Sequence, residues 1–417
     1  MQKNNLLIEV LAEELPPLSQ KSLSEVFAHK IAESLYKLRL SQDINYEVFS
    51  TPRRLGVLVK DVFSKGDAEK KVIKLMPSSI GFDNDGNPTN ALEKKLISLG
   101  ESLSALGKIQ RIEEKNQCNL YLEKEILGKE LSKEIPIIVG KSLGSLPIKK
   151  LMSYQLNDGW TTVSFVRPMK SLMVIYGDSI LDVECMGLKS ANHTIGHRFL
   201  SKASIIKIEH ANDYEKIMYE QGLVQVDFEK RKKKIANDIT DSLRKIDTNL
   251  HSLEDDSLLN EVTSLVEMPK VLIGQFEKRF LTVPQECLIL SMKSNQKYFP
   301  VLNKKNELTN YFVIVSNINP KDPYNIVHGN EKVIRPRLAD AEFFYTRDKA
   351  HTLKKFSTNL DSIIYHNKLG TQRDRALRVT KILAYLSKTL RFSSKVDFED
   401  LALHSKADLL SLSLIHI

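Results

Sequence analysis

The chain has 417 residues, 42% hydrophobic and 27% charged, with a formal net charge of +9. That composition fits a globular protein of two to three domains and excludes a low-complexity or disordered chain. The longest apolar runs, such as Ile135–Gly140, are too short for a membrane-crossing helix, and Met1–Asn5 lacks the charged-then-apolar layout of a signal peptide.

Leu6–Leu11 reads as a short buried strand, stopped by Glu13-Glu14-Leu15-Pro16-Pro17. Leu23, Val26, Phe27, Ile31, Leu35 and Leu38 follow at helical spacing and predict an amphipathic helix. Thr51-Pro52 breaks the chain before an apolar, β-branched strand over Leu55–Val62. Asp83–Pro88 is a turn, with Thr89 or Asn90 placed to cap the next helix. Leu120, Leu122 and Leu127 suggest a half-buried strand, and Val163–Val166, Leu172–Tyr176 and Ile205–Ile208 are further strand candidates.

Asp227 is placed to cap a helix with Phe228, Ile235, Ile239, Leu243 and Ile246 on one face and Arg231–Lys234 on a solvated one. Leu258–Glu267 reads as helix and Val271–Phe276 as strand. Tyr298–Leu302 and Tyr311–Ser316 flank a polar turn, a hairpin of the longer-loop kind. From Lys332 to Leu410 strand signals stop and helical periodicity dominates, with Ile363, Leu369, Leu377, Ile382, Leu386 and Leu390 as expected core positions. A domain boundary is expected near Gly329–Lys332, and the fold class is α+β, a mixed α/β N-terminal region followed by an all-helical one.

Cys118, Cys185 and Cys287 are far apart and form no CxxC pair, so neither a disulfide framework nor a cysteine zinc site is supported, and a reducing cytoplasm is expected. The charge is localised. Between Asn330 and Lys395, 15 Lys and Arg stand against 6 Asp and Glu, which accounts for the whole excess of +9. Such a patch is either the footprint of a polyanion partner or a solvated helical face.

Gly140-Lys141-Ser142 lacks the preceding glycine of a phosphate-binding loop, having Ile135-Pro136 instead. His193–His197 and Ser291–Ser294 miss the spacing and residue order of the class I aminoacyl-tRNA synthetase signatures, and the arginine-containing class II signatures are absent. No adenylate-forming site and no catalytic residue is therefore assigned. No histidine is followed by aspartate, so His366, His404 and Asp408 make an incomplete set for an HD phosphohydrolase and no metal ligand is assigned.

The segment Gly329–Tyr345 (GNEKVIRPRLADAEFFY), with Met292–Val301 and Phe312–Ile318 before it, resembles the beta subunit of bacterial heterotetrameric glycyl-tRNA synthetase. So do Leu7–Pro17 (LIEVLAEELPP), Ser50–Leu55 (STPRRL), Phe82–Thr89 (FDNDGNPT), Ser164–Pro168 (SFVRP), Gly196–Phe199 (GHRF), Leu258–Pro269 (LLNEVTSLVEMP), Lys368–Thr371 (KLGT) and Lys406–Leu410 (KADLL). The resemblance departs at Pro336, where the family usually has alanine, and at Ser411–Ile417, which looks foreign to its pattern. Pro336 suggests that the helix starts at Arg335 or bends there.

The resemblance implies a tRNA-binding region over residues 1–330, in two subdomains, and the start of an HD-like helical domain without metal ligands over 331–410. It implies an atypical tail over 411–417, an absent C-terminal anticodon-binding domain, and hence an N-terminal piece. It also implies an α2β2 ligase that joins glycine to tRNA, with ATP and Mg2+ used by the alpha subunit and no cofactor in this chain. The expected partners are that alpha subunit and tRNA, with no membrane. The tRNA-binding candidates are Arg53, Arg54, His197, Arg198, Lys293, Lys297, Lys332, Arg335 and Arg337. Each has a structural alternative: a solvated turn for Arg53 and Arg54, internal hydrogen bonding for His197 and Arg198, and a pairing of the α-helical arginines with Asp340 or Glu342. Tyr298 and Phe299, beside Lys293 and Lys297, are either base contacts or core. The rival functions are an HD-type metal-dependent phosphohydrolase and a non-catalytic protein-interaction scaffold.

Overall fold

The computed structural model describes residues 3–83, 86–114, 117–391 and 397–413. It is an α+β chain that divides into two compact units, residues 1–228 and 229–417.

The first unit runs β1 (Lys3–Ala12), α1 (Pro17–Lys37), β2 (Tyr46–Thr51), β3 (Arg54–Phe63), β4 (Glu69–Pro77), α2 (Ser78–Gly81), α3 (Asn90–Ser98), β5 (Ile109–Glu114), β6 (Gln117–Ile126) and α4 (Leu131–Gly144). It continues with β7 (Met152–Gln155), β8 (Thr162–Phe165), β9 (Met169–Tyr176), β10 (Ser179–Ile180), β11 (Glu184–Cys185), β12 (Leu188–Ala191), β13 (His193–Thr194), β14 (Ile206–Lys207) and α5 (Tyr214–Glu220). The main sheet has the order β11-β12-β9-β1-β3-β2, with β10 beside β9. Its centre, β1, is buried on both faces, which explains an apolar run without alternation. Leu6, Ile8 and Val10 point to a core shared with Leu23, Phe27, Ile31 and Leu35 of α1. Leu7 points the other way, to Ile206, Tyr214 and Met218. Strand period places Glu9 on that second face.

Residues Gly140–Ser142 lie inside α4, so they form no phosphate loop. A separate sheet, β4-β6-β5, packs Leu120 and Leu122 on Leu92 and Leu96 of α3, whose N-cap is Thr89. Leu127 lies past the end of β6 and is exposed, because the strand stops at Ile126. The Asp83–Pro88 turn includes residues 84 and 85, which lie outside the described residues.

The second unit contains α6 (Phe228–Arg244, its first residue closing the first unit), β15 (His251–Ser252), α7 (Asp256–Thr263), β16 (Lys270–Gln275), α8 (Gln285–Gln296), β17 (Phe299–Leu302), β18 (Leu308–Ser316) and α9 (Tyr324–Lys349). After them come α10 (Leu353–Ser357), β19 (Ile364–His366), β20 (Gly370–Thr371), α11 (Gln372–Thr389) and α12 (Phe398–His404). The sheet β15-β17-β18-β16 is covered on both sides. Ile235, Ile239 and Leu243 of α6 meet Val271, Phe299 and Val313 on one face, and Leu288, Met292, Ile334, Leu338 and Ala341 meet Leu272, Phe312 and Ile314 on the other.

Several expectations change here. Arg231 is not on a solvated face: it is fully buried and donates to the Thr263 carbonyl at 3.2 Å. The helix after Leu258 ends at Thr263, short of Glu267. Gly329–Lys332, expected as a boundary, lies within α9, whose Ile334, Leu338 and Ala341 belong to the same core as Leu272 and Phe312. Pro336 neither starts nor ends this helix. The region beyond Lys332 is not purely helical, since β19 and β20 form a hairpin. Leu369, at the β19–β20 turn, and Ile382, Leu386 and Leu390, along α11 and at its end, are exposed rather than core. The Ser411–Ile417 tail is described to Ser413. Asp348 accepts from the Leu412 amide at 2.8 Å and from the Ser413 amide and hydroxyl at 2.7 and 2.6 Å. No helix among the described residues is long and apolar enough to cross a membrane.

Candidate nucleic-acid interface

In the first unit, the arginines of the Thr-Pro-Arg-Arg-Leu segment are internal. Arg54 is fully buried beside Glu9, with Nε 3.4 Å from Oε2, and donates to the Ile195 carbonyl. Arg53 is 7% exposed and donates to the Gly196 carbonyl at 3.0 Å. Glu9 also accepts from the Thr194 hydroxyl at 2.5 Å and from the Tyr214 hydroxyl. The expectation that Arg53 and Arg54 contact RNA or line a solvated turn is therefore corrected: they sit where β3 meets the 193–197 segment. An apolar strand that carries one carboxylate on its inner face needs donors there, and Arg54 supplies charge.

His197 is 2% exposed, and its Nδ1 accepts from the amides of Phe199 and Leu200 at 3.2 Å each. It shapes the loop from inside and presents no face to a ligand. Gly196 is required next to it, since a Cβ there would stand 2.7 Å from the Gly222 carbonyl oxygen. The loop leaves Phe199 73% exposed and Arg198 at the surface, 3.2 Å from Glu13. Hydrogen bonding from Lys170, with the Arg198 charge adding to it, holds the Glu13 carboxyl below its ordinary range.

In the second unit, Lys293 pairs with Asp255, and Lys297 lies 3.0 Å from Glu261. Asp255 also caps α7. Burial pushes its pKa up, but Lys293 and the cap hydrogen bonds outweigh this and hold it low. Both lysines therefore fasten α8 to α7. Tyr298 and Phe299 are core: Tyr298 lies 4.8 Å from the Phe312 ring, donates to Asn330 at 2.6 Å, and burial pushes its hydroxyl up to about 12.

The α9 candidates, like Arg198, are at the surface. Lys332 and Arg337 are exposed and make no ion pair among the described residues, while Arg335 reaches Glu277 at 2.5 Å. Asp340 and Glu342 do not take the arginines; Glu342 pairs with Arg279 at 3.1 Å. At about 100° per residue, Lys332, Phe343 and Arg347 fall within roughly 60° of one another, away from the buried Ile334, Leu338 and Ala341.

Of the exposed rings beneath arginines, Phe343 lies in the basic and aromatic stretch that the sequence singles out, and Tyr365 does not. Phe343 is 52% exposed beneath the Arg347 guanidinium, 5.3 Å from the ring centroid. Tyr365 on the β19–β20 hairpin is 42% exposed beneath Arg375, at 4.6 Å. The four-residue spacing of Phe343 and Arg347 on a helix was the available signal. Lys381 and Lys388 of α11 are also exposed. Cations interleaved with exposed rings suit phosphates and bases together. No group of three or more His, Cys, Asp and Glu among the described residues is placed to hold a metal.

An α+β chain with exposed basic and aromatic side chains on its helices is the class that these units define. The family model described as glycyl-tRNA synthetase beta subunit matches residues 6–414, and the chain belongs to that family. It is 43% identical over 412 residues to a glycine–tRNA ligase beta subunit of Janthinobacterium sp. (strain Marseille), covering 99% of this chain and 59% of the relative. It is 42% identical over 409 residues to that of Thiobacillus denitrificans, covering 98% and 58%, and 42% identical over 388 residues to that of Methylobacillus flagellatus, covering 91% and 54%. The chain thus spans under two thirds of the length of these relatives.

Proposed function

We propose that this chain is the tRNA-holding part of a glycine–tRNA ligase beta subunit, working in the cytoplasm with an alpha subunit in an α2β2 assembly. The alpha subunit binds ATP and Mg2+ and forms glycyl adenylate, and this chain supports transfer of glycine by gripping tRNA. The helices beyond α9 are read as the opening of an HD-like domain that keeps no metal ligands.

The observation that carries the proposal is the confinement of the charge excess to residues 330–395, together with the exposure of Lys332, Arg337, Phe343 and Tyr365 in that stretch; residues 392–396 lie outside the described ones. Phosphate contacts of this kind supply affinity and orientation rather than sequence choice. The test pairs two assays. Glycine-dependent ATP–pyrophosphate exchange is expected from the alpha subunit and not from this chain alone, and tRNA is expected to bind this chain with a salt-dependent affinity. Exchange by the isolated chain, or salt-independent tRNA binding, would overturn the proposal.

A further inference from the structure

Trp160, the one tryptophan of the chain, is 89% exposed at the turn between β7 and β8. An exposed indole is costly in apolar surface, and here the backbone that carries it is held in a defined turn. Asp158 Oδ1 accepts from the amides of Trp160 and Thr161 at 2.9 and 2.8 Å, and its Oδ2 accepts from the Thr161 hydroxyl at 2.5 Å. Gln155 donates to the Gly159 carbonyl, which closes the turn from the other strand. Gly159 has φ +76, a backbone conformation that glycine takes without strain.

The ribbon is two-faced. Tyr154 and Phe165 turn toward the body of the unit: the Tyr154 hydroxyl accepts from the Met169 amide at 3.2 Å, and Phe165 belongs to the α1 core. Ser153, Gln155, Thr162 and Ser164 form the open face, with the two serine hydroxyls 2.8 Å apart. Lys149 and Lys150 are exposed at its base. The Thr161 hydroxyl and the Thr161 and Trp160 amides hold the Asp158 carboxyl below its ordinary range, so it keeps its negative charge beside the indole. The other exposed apolar residues, Leu151 and Met152, lie at the far end of β7, about 10 Å from the tip at strand rise. The indole is therefore a single flat ring among polar side chains, with the lysines at the opposite end of the ribbon, and not part of a continuous apolar patch of the kind a protein partner buries.

We infer, on the basis that the chain binds RNA as proposed above, that Trp160 is a stacking finger for an unpaired nucleobase of RNA. Every base has a π-face, so the finger discriminates unpaired from paired nucleotides rather than one base from another.

Because Trp160 is the one tryptophan, the fluorescence of the unmodified chain reports on this position directly. Titration with a short unstructured RNA oligonucleotide should quench the emission and protect it from acrylamide, with the midpoint of binding measured by anisotropy of the labelled RNA. A duplex of the same length should leave the emission largely unchanged. Trp160→Ala should weaken binding of the single strand by roughly 5- to 100-fold, and Trp160→Phe should recover most of the loss. The tip is exposed, so these variants fold, and circular dichroism checks it. Single-stranded RNA that binds without altering the emission, or that binds Trp160→Ala as well as the parent, overturns the finger and leaves the RNA-binding proposal standing. Protection of Trp160 by purified alpha subunit but not by RNA overturns it in favour of a protein contact. Absence of RNA binding in every arm brings down both proposals.

Discussion

Glu9 and Arg54 meet diagonally across the β1–β3 ladder, Glu9 standing opposite Gly56 and Arg54 opposite Leu11, with side chains 1% and 0% exposed, so a carboxylate and a guanidinium are sealed inside the first unit's sheet. Thr194 and Tyr214 complete the carboxylate's hydrogen bonds, and Arg54 also reaches the Ile195 carbonyl. The pair thus ties the sheet to the loop that carries Arg198 and Phe199. Removing one member leaves an uncompensated buried charge, which costs about 3–5 kcal/mol. Arg54→Ala and Glu9→Leu should each lower stability to urea by about that amount, and the double variant by less than the sum. A single variant as stable as the parent would contradict the pairing.

Lys332 and Arg337 should matter more for RNA than Arg335, which already has Glu277 as partner. Replacing Lys332 and Arg337 by Gln should weaken tRNA binding and flatten its salt dependence by about 0.7–0.9 in log–log slope per lost phosphate contact. The measurement is filter binding over a salt series. An unchanged slope in the folded double variant would move the RNA surface away from α9.

Phe343→Ala and Tyr365→Ala test the rings separately from the charges. Base stacking contributes about 1–3 kcal/mol per base, so either change should weaken binding of single-stranded RNA while leaving the salt slope intact. A loss of slope without loss of affinity at low salt would assign these rings to positioning Arg347 and Arg375 instead.

Asp348 holds the segment after Lys406 through Leu412 and Ser413. Burial pushes its pKa up, but the Ser413 and Leu412 hydrogen bonds outweigh this and hold it below the ordinary value. A depressed folded-state pKa contributes stability that is present above the unfolded value, ~3.9, and is lost as pH falls through the lower folded value. The Leu412 and Ser413 amides should therefore lose hydrogen-exchange protection below about pH 4, and Asp348→Asn should weaken it at neutral pH. Equal protection at pH 6 in that variant would show that the contact carries no weight.

Local chemistry made much of this chain legible from its residues. Leu23, Phe27, Ile31 and Leu35 repeat at helical spacing and bury one stripe of α1, and the Asn303–Glu307 turn joins β17 to β18 as composition suggests. The basic stretch from Asn330 was also visible, because charge is a property of composition. The sequence could not show which basic side chains would remain at the surface. Arg53, Arg54 and His197 look like surface residues beside Pro52 and Gly196, yet strand alternation turns Glu9 inward and the protein must bring donors to it. Lys293 and Lys297 are spent on Asp255 and Glu261, about forty residues earlier in the chain. Burial and pairing depend on contacts between distant segments, so only the tertiary structure decided that Lys332 and Arg337 make no ion pair among the described residues, that α9 continues through Gly329, and that Trp160 stands clear of any core.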